Sequence, residues 1–206
     1  MWLIILGIII FTSGHMFRRL LPDGRIFLDQ KLGENRAKGI IGITLLTGFI
    51  LVTIGYYIND FDIYLYYSPP WLTAITHLMM VFSLLLMNVG KPHFGHTNRL
   101  QKYIKHGMLS GLIVWSIAHL LINGTLMAFI LFGSLGLWAV LEIFLLERNK
   151  YQHEKFDGSL RGDIYLIGLT ALIYTVFIVI HHLPVSYTHL RAHETVLDLV
   201  CRLLLE

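Results

Sequence analysis

The strongest constraint on this chain is the way its charges fall around its apolar runs. Six stretches are mostly apolar: Met1–Phe17, Gly39–Ile58, Trp71–Gly90, His106–Asn123, Thr125–Leu146 and Asp163–Leu183. Each approaches or exceeds the roughly 20 residues with which an α-helix crosses a hydrocarbon core of about 30 Å. Lys and Arg occur only outside them. Of the sixteen, six lie between the first two runs, four between the third and fourth, four between the fifth and sixth, and two after the last. The connections between the second and third runs and between the fourth and fifth carry none. A wrong division into helices would scatter these charges over both sides. By the positive-inside bias, the basic connections are expected on the cytoplasmic side and both termini outward.

Composition agrees. Only 14% of the residues are charged and 55% are hydrophobic, whereas a soluble domain carries about a quarter charged residues. The expected fold class is all-α, a polytopic membrane bundle of about six transmembrane helices. The first run lacks a basic flank before it and is followed by Arg18 and Arg19 in place of a small-residue cleavage site, so it reads as a span and not as a cleaved signal. The segment Leu20–Lys38 is polar, and Pro22, Asp23-Gly24 and Gly33 are expected to break any helix pattern there. Residues 59–70 form an aromatic connection with Tyr64, Tyr66 and Tyr67, of the kind found at a membrane interface. Short juxtamembrane loops account for the basic residues better than nucleic-acid binding does.

The last 22 residues, Val185–Glu206, differ in kind. Val-Ser-Tyr-Thr-His-Leu-Arg-Ala-His-Glu-Thr resembles a translated short-read library adapter, and Leu-Val-Cys-Arg-Leu-Leu-Leu-Glu matches its constant continuation. The expected division is a native membrane domain over 1–183 and a non-native tail over 184–206, with the natural C-terminus lying beyond about Leu183. The single cysteine, Cys201, falls in that tail, so no disulfide or thiol chemistry is expected of the native part.

Ionisable groups inside the apolar runs are the functional candidates, because each is costly in a bilayer. They are His15, His77, His119 and Glu142, with His106 at a membrane edge. His93, His96 and His153 read as solvated loop residues, and His181 and His182 as interfacial anchors. Neutral imidazole is a common metal ligand and a usual axial ligand of haem iron, and a helical bundle offers an apolar slot for the macrocycle. In the outward-terminus topology His77 and His119 each lie about 9 Å from the outer boundary, so depth pairs these two. Glu142, near the end of the fifth run, either snorkels to the interface or stands behind a ligand imidazole as its hydrogen-bonding carboxylate. Asn123 is the second candidate for that supporting role. Gly107 and Gly111, with Gly133 and Gly136, are expected to let the fourth and fifth spans approach closely. Asn123-Gly124 suits a tight reversal between them, since both residues tolerate positive φ.

Several blocks together carry a resemblance: Gly14-His15, Pro70-Trp71 with His77, Lys105-His106-Gly107, Trp115-Ser-Ile-Ala-His-Leu-Leu-Ile-Asn-Gly124, and Phe132-Gly-Ser with Trp138-Ala-Val-Leu-Glu142. The chain resembles the NnrU family over essentially Met1–Leu183, and the block around His119 is its most specific part. The family is named for a role in bacterial nitrogen-oxide reduction. It is similar to the 15-cis-zeta-carotene isomerase of plastids and cyanobacteria, a membrane enzyme that uses haem b. The resemblance implies a bacterial inner-membrane location, haem b as cofactor, and His15 with His119 as the iron ligands; His77 and His106 are the alternates. The family's usual His-Pro is His106-Gly107 here. A lipophilic substrate in the bilayer would then be a partner, and no protein partner is named by the sequence. The competing expectations are a transporter of a nitrogen oxyanion and a helper in assembling another membrane complex. Against transport, no inverted repeat and no broken helix pair is evident, and no Lys or Arg lies within a span.

Overall fold

The structure, a computed structural model, describes residues 1–59, 63–90, 95–148 and 157–180. His93, His153, His181, His182 and the tail 184–206 lie outside the described residues. The apolar runs form helices α1 (Trp2–Leu20), α3 (Glu34–Tyr57), α4 (Leu72–Asn88), α5 (Gly107–Ile122), α6 (Leu126–Arg148) and α7 (Leu160–Ile180), and α2 (Pro22–Leu32) lies between the first two. A 3-10 turn occupies Arg99–Lys102. Among the described residues, α3, α6 and α7 are long and apolar enough to cross a membrane, and α1 with α2 forms a bent pair. The helices α4 and α5, of 17 and 16 residues, are apolar but shorter, about 25 Å of rise each. The chain is an all-α membrane bundle.

Segment Leu20–Lys38 departs from the sequence expectation. Pro22 stands in the first turn of α2, where its missing N–H would have had no partner anyway. Asp23 follows in that turn, and Arg25 pairs with Asp29 one turn on at 2.9 Å. Gly33, at φ +81°, ends the helix in a conformation that other residues rarely adopt. The next helix then starts at Glu34, more than a turn before the apolar run, with an exposed Glu34–Lys38 pair at 2.6 Å along its first turns. The polar residues thus terminate and restart helices instead of abolishing them. The axis of α2 is turned 83° from that of α1.

Contacts order the bundle as α3, α1, α6, α5, α4. Water does not drive helices together inside a bilayer, so close backbone approach has to. At the α1–α3 seam, a Cβ on Gly7 would lie 2.7 Å from the Gly48 carbonyl, and one on Gly48 would lie 2.8 Å from the Gly7 carbonyl. Gly107 and Gly111 correct the sequence expectation: they open the seam with α4, where a Cβ on Gly111 would lie 2.7 Å from the Ser83 carbonyl, and not the seam with α6. Ser83 Oγ donates back to the Gly111 carbonyl at 2.8 Å across this seam. Gly136 does serve the α5–α6 contact, against Ser116.

The reversal at Asn123-Gly124 is built differently from expectation. Asn123 has φ −105°, and Gly124 is not among the described glycines with positive φ. The glycine is needed because Tyr66 lies on it: the amides of Leu65 and Tyr66 donate to the Gly124 carbonyl at 2.7 and 3.2 Å, and the Leu126 amide donates to Ile63. The aromatic connection and the α5–α6 turn are therefore clasped together at the end of the bundle where Trp2, Tyr57 and Tyr67 are exposed. Arg25, Lys38, Lys102 and Arg148 lie at the opposite end.

Replacing Gly48 with leucine is expected to wedge α1 from α3 and to cost about 1–3 kcal/mol, as overpacking of a tight seam does. Thermal melting of the detergent-purified protein, with Gly39→Leu in open space as control, measures it.

Candidate functional site

The candidate residues lie on α1, α5 and α6, whose shared core contains Phe11, Leu109, Trp138 and Ala139. Helices α1 and α6 both run from the aromatic end to the basic end, which brings two pairs spaced by one turn into register: His15 and Arg19 on α1, Trp138 and Glu142 on α6. The His15 ring lies 4.9 Å from the Trp138 ring and 4.6 Å from Phe11. One turn nearer the basic end, Arg19 makes an ion pair with Glu142. Glu142 is only 4% exposed, so it does not snorkel. Its cation is a residue that the sequence assigns to the loop but that falls within the last turn of α1. Trp138 Nε1 and Glu142 Oε2 are buried and have no hydrogen-bond partner among the described residues.

His119 faces α6 from α5. Its Nδ1 lies 3.0 Å from the Trp115 carbonyl oxygen. A carbonyl only accepts, so Nδ1 carries the hydrogen and, in the neutral ring, Nε2 carries the lone pair. The ring stacks on Phe132 at 4.4 Å and leans on Trp115 at 4.5 Å. Asn123 supports this turn from below, its Nδ2 donating to the His119 backbone carbonyl at 3.0 Å. The amide thus closes the end of α5 and does not touch the imidazole in that contact.

His77 uses the same local device, Nδ1 to the Thr73 carbonyl at 2.7 Å, but its ring is exposed on α4. Helix α4 meets α5 through residues nearer the basic end, such as Ser83, so the shared depth of His77 and His119 does not make them facing residues. His106 lies just before α5 at the basic end. Its Nε2 is 2.6 Å from Glu147, which also accepts from Lys105 Nζ at 2.7 Å. The loop residue His96 stacks on Tyr165 of α7.

The five ionisable candidates therefore lie in four separate places: His15 and Glu142 together at the α1–α6 contact, and His119, His106 and His77 each elsewhere. Among the described residues, no group of three or more His, Cys, Asp or Glu could hold a metal ion. His15 and His119 both rest on α6, but on Trp138 and Phe132. Six residues of helix separate these by about 9 Å and about 120° of rotation. Two imidazole nitrogens on one iron stand roughly 4 Å apart. The donor chemistry at His119, a lone pair on Nε2 with aromatic walls, fits one axial ligand of haem. The contacts do not set His15 opposite it.

A family model described as NnrU protein matches residues 3–189, nearly the whole chain. The chain belongs to the NnrU family. The match takes in every span and all five candidate positions. No curated protein and no solved structure matches it.

In this NnrU-family chain, Arg19 is the site residue that sequence reasoning passed over. Its signal was the common four-residue spacing of His15–Arg19 and Trp138–Glu142. Glu142→Ala is expected to destabilise the bundle by about 3 kcal/mol, because it strands a cation in the span. The double variant Arg19→Ala/Glu142→Ala should recover most of that loss, which melting of the four-member mutant cycle in one detergent measures.

Proposed function

We propose that this NnrU-family membrane protein binds haem b through His119 and works in nitrogen-oxide metabolism or on a lipophilic polyene. The observation that carries this reading is the locked imidazole: Nδ1 is committed to the Trp115 carbonyl, so Nε2 is the atom that meets a ligand. Metal-bound histidines are held in this way by a hydrogen bond on the far nitrogen. Phe132 and Trp115 supply flat apolar walls and hold the ring's rotation. Asn123 fixes the last turn of α5, and the Tyr66–Gly124 clasp covers the end of that turn against water. Haem bound there would supply a Lewis-acidic and redox-active iron, able to polarise a polyene or to bind a nitrogen oxide. His15 would join as second ligand only with α1 re-seated on α6, since Trp138 now packs against it. In this reading the inner membrane of a bacterium houses the protein, with the clasp outward and the basic loops in the cytoplasm.

A transporter reading draws on one observation, the 83° break between α1 and α2. That break lies among Arg19, Pro22 and Arg25 at the basic end, whereas transport sites are built from helices broken near the bilayer midplane. It gives the weaker account.

The absorption spectrum of the detergent-purified full chain tests the proposal. A Soret band is expected in the protein as isolated or after haem supplementation, and His119→Ala should remove it. His15→Ala should leave the band in place, since the contacts do not set His15 opposite His119. A protein that stays colourless with haem supplied, or a band indifferent to His119→Ala, overturns the reading.

A further inference from the structure

A cleft of about 400 Å³ opens between α2 and α3, lined by Pro22, Arg25, Ile26, Asp29, Glu34 and Lys38. Its size lies within the range of small-ligand sites. Its chemistry is unusual for a bundle of this composition, because two cations and two carboxylates face one space. Arg25 and Asp29 pair along α2, and Arg25 keeps only 12% of its side chain exposed. Lys38 and Glu34 pair along α3, and both are well exposed, at 62% and 68%. Such exposed pairs one turn apart are weakly held, so a ligand bearing both charges can replace one partner by its own.

The position of the cleft says what that ligand is. Helix α2 leaves α1 at 83°, immediately after the basic end of α1, which lays it near the membrane surface. Ile26 and Phe27 on α2 are exposed. Ile26 is also part of the cleft lining, so an exposed apolar surface borders the four charged groups. A molecule seated in the cleft would therefore have a charged head among the four ionised groups and acyl chains against the exposed apolar side of α2, at Ile26 and Phe27.

We propose that the α2–α3 cleft binds the headgroup of one zwitterionic phospholipid with a primary ammonium, of the phosphatidylethanolamine class. The phosphate goes to Arg25 and Lys38, since guanidinium and ammonium groups recognise phosphate oxygens. The ammonium goes to Asp29 and Glu34, to which it donates hydrogen bonds. A phosphatidylcholine head carries the same charges but has no N–H to donate, and a phosphatidylglycerol head leaves both carboxylates facing an anion. The balance of two positive and two negative groups thus selects the zwitterion with donors. This inference is independent of haem binding.

The test is thermal melting of the full chain in detergent micelles doped with phosphatidylethanolamine, phosphatidylcholine or phosphatidylglycerol of identical chains. Phosphatidylethanolamine is expected to raise the melting temperature by about 5 °C beyond the other two. Arg25→Ala/Asp29→Ala should abolish the difference, but that pair is partly buried and its loss can disturb the fold. Glu34→Ala/Lys38→Ala removes the exposed pair with no change in net charge. It should melt like the parent in plain detergent and respond alike to all three lipids. Glycerophosphoethanolamine, the head without chains, should give no shift. Equal stabilisation of the parent by all three lipids overturns the proposal. So does a preference that survives Glu34→Ala/Lys38→Ala, or a full shift from the chain-free head.

Discussion

A carboxylate inside an apolar helix has to meet a cation or surrender its charge, and in this protein Glu142 meets Arg19. Much of the arrangement follows from that requirement. The pair fixes how far α1 slides along α6, and with it which turn of α1 faces Trp138. His15 owes its place against the indole to the residue one turn below it. The pair also holds Arg19 in the last helical turn of α1, next to the bend into α2. An electrostatic contact thus links the interior of the bundle to the surface helix that forms the phospholipid cleft.

His119 depends on a different kind of support. Its ring is steadied by its own helix through the Trp115 carbonyl and by α6 through Phe132. The turn that follows is held by main-chain hydrogen bonds from the Ile63–Tyr66 segment. None of these involves a formal charge. The two histidines singled out for haem are therefore positioned by unlike forces, His15 beside a buried ion pair and His119 among aromatic rings and backbone amides. Both rings lie against aromatic side chains, but only His119 has them without an ion pair one turn away.

Most of the fold was legible in the sequence because the bilayer simplifies the problem. Backbone groups in hydrocarbon must bond within a helix, so a long apolar run has one outcome, and the charge census supplies direction. Helices α4, α5 and α6 match the apolar runs to within one or two residues at their ends. Interhelical detail was less legible, because a glycine spacing states that something approaches without naming it. Gly107 and Gly111 found α4 instead of α6. The Gly7–Gly48 seam joins two residues that carry no pairing signal of their own. Pro22 and Gly33 do interrupt the helices, but the same residues that end one helix begin the next, so the segment is helical on both sides of each break. At the candidate site, His119 was visible as an imidazole in an apolar run. The identity of Glu142's partner was not, since Arg19 looks like an ordinary loop flank until α1 is seen to extend through it.

The contact between α1 and α6 has a consequence for how the protein is made. Ribosomes deliver helices in order, and α1 can close its glycine seam on α3 as soon as that helix arrives. The face of α1 bearing His15 and Arg19 has no match until α6 emerges, after three further helices have entered the membrane. The contacts thus divide into those available before α6 is made, α1 with α3 and α4 with α5, and those that need it. The arrival of α6 joins the two pairs and brings Glu142 to Arg19, and α7 then brings Asp163 to Arg99. Until α6 arrives, the carboxylate with which Arg19 pairs has not yet been made.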